Sequence, residues 1–321
     1  ALNGGIEVKG LEDTIRQVIQ PKKVLKSNVD MGIVTFNMKT LKPKIVKKKD
    51  LNENNLCDYL LASASCFPAF KMKTIEEENY IDGGIYDNLP INLAIDLGAT
   101  EVIAIDLKEV GFKQKVKNKN IPITYIEPRN DIGSFLIFEK NMSRRAMRLG
   151  YNDTLKVMNY LDGVKYTFKK NDLEKNYQKY KEQYQQNIKK ILTSKANQTL
   201  LDSILKLTIV KRILSPNEMK KEYTNIIENL GKILEIEDSK IYSIAKYNKL
   251  LKEEFLKVEK DQTIETFILQ NKIKKLLNQK ETIKYIYDLL DSNNKKKLYG
   301  IILLFPKMFL EAVYLKTIIE K

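Results

Sequence analysis

The chain changes character near residue 143, and that change limits its fold more than any other feature. Before it, short β-branched apolar runs alternate with helical patterns; after it, only helical periodicity remains. Residues 31–37 (MGIVTFN) and 41–46 read as neighbouring strands. Residues 79–81 form a further short strand, 101–107 (EVIAIDL) a buried one, and 121–126, flanked by Pro122 and Pro128, another. Residues 11–20 (LEDTIRQVIQ) are helical and end at Pro21. Residues 54–65 form a helix that stops before Pro68. A helix over 90–97 has Pro90 at its start and Gly98 just past its end. Strand 79–81, that helix and strand 101–107 read as a βαβ unit, which implies that its two strands pair in parallel.

Beyond residue 143 the chain reads as Lys/Glu-rich helices. Ile241, Ile244, Leu251, Phe255 and Val258 make the stripe of one core-facing helix side. Helix starts are marked by Ser215-Pro216, Asp238-Ser239 and Asp261. The stretch 298–315 (LYGIILLFPKMFLEAVYL) is strongly apolar, but Pro306, Lys307 and Glu311 interrupt it. No uncharged run reaches the ~20 residues that span a bilayer. The stretch predicts a buried helix pair broken at Pro306, with an interfacial element touching lipid as the alternative.

Composition excludes several chemistries. There is no histidine, so a Ser-His-Asp triad, a Cys-His pair and any His-ligated metal are ruled out within the 321 residues. Cys57 and Cys66 are the only cysteines and lack metal-site or C-x-x-C spacing, so small apolar roles in a reducing compartment are expected. No metal and no cofactor is expected. The net charge of +15 is spread along the chain, which reads as a solvated lysine-rich surface suited to anionic partners. No zinc-finger, RNP or helix-turn-helix signature accompanies it, so nucleic acid is not an expected partner. No charged segment leading into an apolar one follows Ala1, so no signal peptide is visible. The expected location is cytoplasmic or peripheral to a membrane, with part of the N-terminus missing.

The sharpest local signal is Tyr80-Ile81-Asp82-Gly83-Gly84-Ile85-Tyr86-Asp87-Asn88-Leu89-Pro90. A carboxylate follows a strand end at once, where ligands of open α/β sheets sit. Two glycines then permit positive φ or a close approach. Asp87-Asn88 can cap the helix that begins at Pro90. The competing reading is a tight turn in which Asp82 bonds its own backbone.

This run, together with the block Asp58-Tyr59-Leu60-Leu61-Ala62-Ser63-Ala64-Ser65 that continues through Pro68 to Phe70, resembles the patatin-like phospholipase family. Gly32-Ile33-Val34-Thr35 and Leu149-Gly150-Tyr151-Asn152-Asp153-Thr154 are similar to further family blocks, so the likeness covers roughly residues 5–170. The resemblance implies an α/β fold. Residues 1–170 would hold an incomplete three-layer α/β/α core of patatin type, and residues 171–321 an all-α, Lys/Glu-rich region. It also implies a Ser-Asp dyad, with the serine in a G-x-S-x-G elbow, a glycine-rich oxyanion loop upstream, and the aspartate first in D-G-[GA]. That aspartate matches Asp82, supported by Gly83, Gly84, Asp87, Asn88 and Pro90. In such a dyad the carboxylate takes the serine proton during attack on an ester carbonyl and later helps activate water.

The departures are as informative. No two of the 13 glycines stand four residues apart, so G-x-S-x-G is absent, as is a G-G-G-x-x-G loop. Ala1-Leu2-Asn3-Gly4 is similar to residues just after the family serine, whereas Gly5-Ile6-Glu7-Val8 is similar to a later block. On either alignment the chain is expected to begin downstream of the nucleophile, as a split or truncated product or as a serine-free relative. Ser63 and Ser65 lie at a helix end rather than in a strand-turn-helix elbow, and are expected to pack beside the site. The expected function is a lipid acyl hydrolase, acting on phospholipid or another acyl ester, of which this chain holds the Asp-Gly-Gly half and is inactive alone. The alternative is a non-catalytic protein that binds a partner or contacts an anionic membrane. Lys113, Lys115, Lys117 and Lys119 are expected in a solvated loop, and Arg144, Arg145 and Arg148 in salt bridges. An incomplete core also predicts an exposed apolar face and marginal stability.

Overall fold

The computed structural model describes residues 6, 8–134, 136–137, 139–192, 198–215, 217–259, 278–292 and 294–320. Residues 1–5 and the helix-start signals at Pro216 and Asp261 lie outside the described residues. The chain forms two compact units, Ala1–Pro128 with Gly133–Phe138, and Arg129–Ile132 with Glu139–Lys321. By compactness, then, residues 139–170 fold with the helical part.

In the first unit, β1 (Gly32–Asn37) and β2 (Lys42–Lys47) form an antiparallel hairpin. Leu41 turns the chain between them with a φ of 54°. On its other edge β1 pairs antiparallel with β4 (Glu78–Asp82), which pairs antiparallel with β3 (Lys73–Ile75), giving the order β2-β1-β4-β3. Helix α3 (Leu56–Ser63) closes one face of this sheet: Leu56, Cys57, Tyr59 and Ala62 bury against Ile33, Val46, Ile75 and Tyr80. Tyr59 and Tyr80 meet edge-on at 5.9 Å, an arrangement worth about 0.5–1.5 kcal/mol beyond area burial. Helix α1 (Lys9–Val18) is tied to α3 by Arg16, whose guanidinium bonds Asp58 at 2.6 Å and Glu12 at 2.8 Å. Pro21 ends the α1 pattern and opens α2 (Pro21–Lys26), where its missing N–H costs nothing.

Strands β5 (Val102–Ile105) and β6 (Ile123–Ile126) form a separate parallel pair. Helix α4 (Ile91–Asp96) covers one face, with Ile91 packed against Val102 and Ala104. The other face is open: Ile103 and Ile105 are 55% and 63% exposed. The βαβ expectation needs correction here. The strand at 79–81 belongs to the antiparallel sheet, and the parallel partner of β5 is β6. Local pattern identified each element correctly, but sheet membership is a long-range pairing that periodicity does not encode.

The second unit has one large core. It contains α5 (Lys140–Val157), α6 (Asp172–Leu192), α7 (Gln198–Leu205), α8 (Thr208–Leu214), α9 (Met219–Ile233), α10 (Ile244–Leu256), α11 (Gln279–Leu289), α12 (Lys295–Leu304) and α13 (Pro306–Ile319). A small sheet in the order β7-β8-β9 joins Leu161–Asp162, Thr167–Lys169 and Ile241–Tyr242. Strands of two or three residues are too short to leave an alternating pattern, so the strand signal does not in fact end at 143. Ile241 sits in β9 and is exposed, outside the predicted helical stripe, whose buried members on α10 include Leu251 and Phe255. Helices α12 and α13 meet at 119°, with Pro306 opening α13. Leu298, Ile302, Phe309 and Tyr314 are wholly buried there, as a broken core pair requires. No single described helix is long and apolar enough to cross a membrane, although the bent pair passes on length and composition.

Arg145 bonds Asp238 and Arg148 approaches Glu237 at 3.8 Å, as expected for salt bridges, whereas Arg144 forms no ion pair among the described residues. The Leu149–Thr154 block lies in α5, where it is structural. Asn152 donates to the Ser239 carbonyl at 3.0 Å, and the buried Asp153 pairs with Lys156 at 2.8 Å and accepts the Arg129 N–H.

Candidate active site

Asp82 ends β4 and stands opposite Thr35 of β1. Its backbone N–H donates to the Ser65 carbonyl at 2.9 Å, which joins the strand end to the residues just after α3. Its Oδ1 accepts the Gly84 N–H at 2.7 Å. Among the described residues no donor reaches Oδ2. The tight-turn reading is seen in Oδ1, which holds the turn through the Gly84 N–H, while Oδ2 carries no bond within it. Burial pushes the Asp82 carboxyl above its usual range, against the pull of the Gly84 N–H. Burial, and then the Asp82 charge, also push up the Cys66 thiol.

The two glycines are required for space rather than for positive φ. Neither has a left-handed φ; residues Gly83–Ile85 form a short 3-10 turn. A Cβ on Gly83 would lie 2.3 Å from the Val34 carbonyl oxygen, deep inside van der Waals contact. A Cβ on Gly84 would stand 3.2 Å from both Asn88 and Asp82 side-chain oxygens.

Asp87 and Asn88 do not cap the following helix, in contrast to the sequence expectation. Pro90 occupies the N-cap of α4 with no side-chain bond to the helix. Asp87 Oδ1 instead accepts the backbone N–H groups of Leu89 (3.3 Å) and Gln114 (3.2 Å). The Asn88 backbone N–H donates to the Phe112 carbonyl, and the Phe112 N–H donates to the Gly84 carbonyl at 2.9 Å. The pair thus fastens the 109–114 loop onto the Asp-Gly-Gly turn. Gly111 is needed at that seam, since a Cβ there would sit 2.8 Å from Asn88. Sequence reading missed this loop; an isolated glycine in a lysine-rich loop was the available signal.

Asp106, just past β5, was missed as well. Burial raises its pKa, but the Lys113 ammonium, the Lys108 N–H and both lysine charges outweigh that and hold it below the usual carboxylate range. Lys113 is therefore engaged rather than solvated.

A cleft of about 430 Å³ opens at this point, lined by Asp82, Gly83, Gly84, Asp87, Asn88 and Pro90, and by Ser63 of α3. All six motif residues meet in it. Ser63 Oγ donates to the Val34 carbonyl at 2.9 Å, and the buried Ser65 Oγ donates to the Leu61 carbonyl at 2.8 Å. Neither hydroxyl is hydrogen-bonded to Asp82, and neither stands at a strand-turn-helix elbow. Among the described residues no cluster of three metal-ligating side chains occurs.

A family model described as patatin-like phospholipase matches residues 2–95, which include every residue of the Asp82 motif. No curated protein matches the chain. Over residues 2–95 the chain is thus similar to the patatin-like phospholipase family, whose members act on lipid substrates.

Proposed function

We propose that the first unit supplies the aspartate half of a Ser-Asp lipid acyl hydrolase, with Asp82 as the base. The observation that carries this reading is the state of the Asp82 carboxylate. It is half-buried in a cleft, fixed through one oxygen by Gly84, and has its other oxygen free among the described residues. A carboxyl whose pKa burial has raised is a stronger proton acceptor than a solvated one. The substrate is a phospholipid or a related acyl ester, and no cofactor enters the reaction.

The nucleophile must come from outside the 321 residues, because no G-x-S-x-G occurs within them and both nearby serines are bound to carbonyls. The open apolar face of β5 and β6 supports this. Ile103, Ile105 and Tyr125 are exposed on a pair of strands that a further core layer would cover. In the assembled centre Asp82 would take the serine proton as the hydroxyl attacks the ester carbonyl. That proton would pass to the leaving alcohol as its C–O bond breaks, freeing the same oxygen to take a proton from the water that attacks the acyl-enzyme and to return it to the serine as the acid leaves. Gly83 and Gly84 would keep the turn close enough to β1 for that oxygen to reach the serine.

The test is labelling of native extract with a fluorescent fluorophosphonate, followed by detection with an antibody to residues 171–321. A labelled band clearly heavier than 37.3 kDa supports the reading. An unlabelled band at that mass overturns it, and the non-catalytic alternative then leads. That alternative, a lipid-surface protein, rests on the net charge of +15 and predicts co-sedimentation with anionic vesicles at low salt.

A further inference from the structure

The helical unit carries a second cleft, of about 330 Å³, at α6, α10 and the end of α13. Its ten lining residues include four lysines and no carboxylate. Lys175 and Lys179 stand one turn apart on α6, and Lys249 and Lys252 one turn apart on α10. Among the described residues Lys175, Lys179 and Lys252 form no ion pair, while Lys249 reaches only Glu253, at 3.7 Å. Lys179 rests over the Tyr180 ring at 4.9 Å. Elsewhere in this unit the lysines commonly meet acids, as Lys220 does Glu174 and Lys316 does Asp291. Here four like charges line one cleft and only Lys249 has a carboxylate partner, an arrangement that repels itself unless an anion enters.

The floor of the cleft is rigid and polar. Asn176, 3% exposed, donates to the hydroxyls of Tyr223 and Tyr314 at 3.2 Å each. Its Oδ1 accepts one Nδ2–H of Asn248 at 2.9 Å, and among the described residues the other Nδ2–H has no acceptor. Asn248 is held from its other end too, by the Tyr314 hydroxyl at 2.9 Å. Ile244 and Ile318 add an apolar wall.

We propose that this cleft binds a phosphomonoester, neutralised by Lys175, Lys179, Lys249 and Lys252 and oriented by Asn248 Nδ2. A phosphomonoester carries about −1.5 to −2 at pH 7 and has three strong acceptor oxygens, which suits a ring of lysine point charges better than a single carboxylate does. The same group occurs free on a sugar or inositol phosphate and as the headgroup of an acidic lipid. The cleft lies within the helical unit, so this inference does not depend on the role of Asp82.

The test is calorimetric titration of the full chain with inositol trisphosphate, alongside co-sedimentation with phosphatidylcholine vesicles with and without phosphatidic acid. Saturable binding is expected. Lys175→Gln/Lys252→Gln should weaken it about tenfold or more, since two charge-assisted contacts are removed. Lys115→Gln/Lys117→Gln, in the other unit, should bind as wild type. Lys175→Arg/Lys252→Arg keeps the charge and should keep the binding, which separates loss of the site from loss of the fold. Binding of both the soluble phosphate and the acidic vesicles assigns a lipid headgroup; binding of the soluble phosphate alone assigns a free phosphate. Equal weakening by the two glutamine pairs, loss of binding in the arginine pair, or no saturable binding would overturn the proposal.

Discussion

The Val34 carbonyl oxygen occupies the space in which residue 83 would place a Cβ, only 2.3 Å from it. The turn that carries Asp82 is thus pressed against the backbone of the neighbouring strand. Gly83→Ala should push the turn off β1 and destabilise the first unit by about 1–3 kcal/mol, the usual range for overpacking. Urea unfolding checks this; an unchanged midpoint would show that the turn relaxes freely.

Asp82→Asn should leave the fold intact and remove the base. In the serine-bearing hydrolase the rate should fall by about 10²–10⁴. Because burial raises the Asp82 pKa in the folded state, ionisation opposes folding. Its stability cost appears as pH rises above the unfolded carboxyl value and is absent below it. The asparagine variant should therefore be at least as stable as wild type at neutral pH. A variant that melts lower would show that the ionised carboxylate stabilises the turn.

Glu311, wholly buried on α13, gives a pH dependence to the helical unit. Burial pushes its pKa from 4.5 to about 7, opposed by its bond from Asn229 and the charge of Lys307. Among the described residues its Oε2 has no hydrogen-bond partner. Between those pH values the folded state holds a proton that the unfolded state has lost, so stability falls as pH rises, by on the order of 3 kcal/mol in all. Glu311→Gln should flatten that slope and raise stability at pH 8. Thermal melts at pH 4.5, 6 and 8 decide it; parallel curves for the two proteins would remove Glu311 as the cause.

Tyr314 links the two asparagines beneath the basic cleft, accepting from Asn176 and donating to Asn248. Tyr314→Phe leaves both amides short of a partner and should cost about 1–3 kcal/mol. A denaturant midpoint within error of wild type would mean that water replaces the hydroxyl.

Ile103 and Ile105 should drive self-association of the chain, since both project from the uncovered face of β5. Ile103→Lys/Ile105→Lys should suppress aggregation in light scattering while moving stability by no more than about 0.5 kcal/mol per site, as exposed positions do. Aggregation at the wild-type rate would place the sticky surface elsewhere.

The sequence by itself determined the local elements and the motif. Pro21, Pro90 and Pro306 sit at helix starts because a proline lacks only an N–H that the first turn leaves unpaired. Residues 31–37 and 41–46 read as neighbouring strands, which pair as a hairpin, and the absence of histidine limits the chemistry. Tertiary structure alone decided which strands pair, since β4 joins β1 rather than β5 through contacts distant in sequence. It also turned Asp87 and Asn88 from expected helix caps into anchors of the 109–114 loop, and set Lys113 on the buried Asp106. Four lysines on two helices converge on one cleft only once α6 and α10 are packed. Local pattern reports a residue's neighbours along the chain; burial, charge pairing and clefts depend on neighbours across it, and those exist only in the folded state.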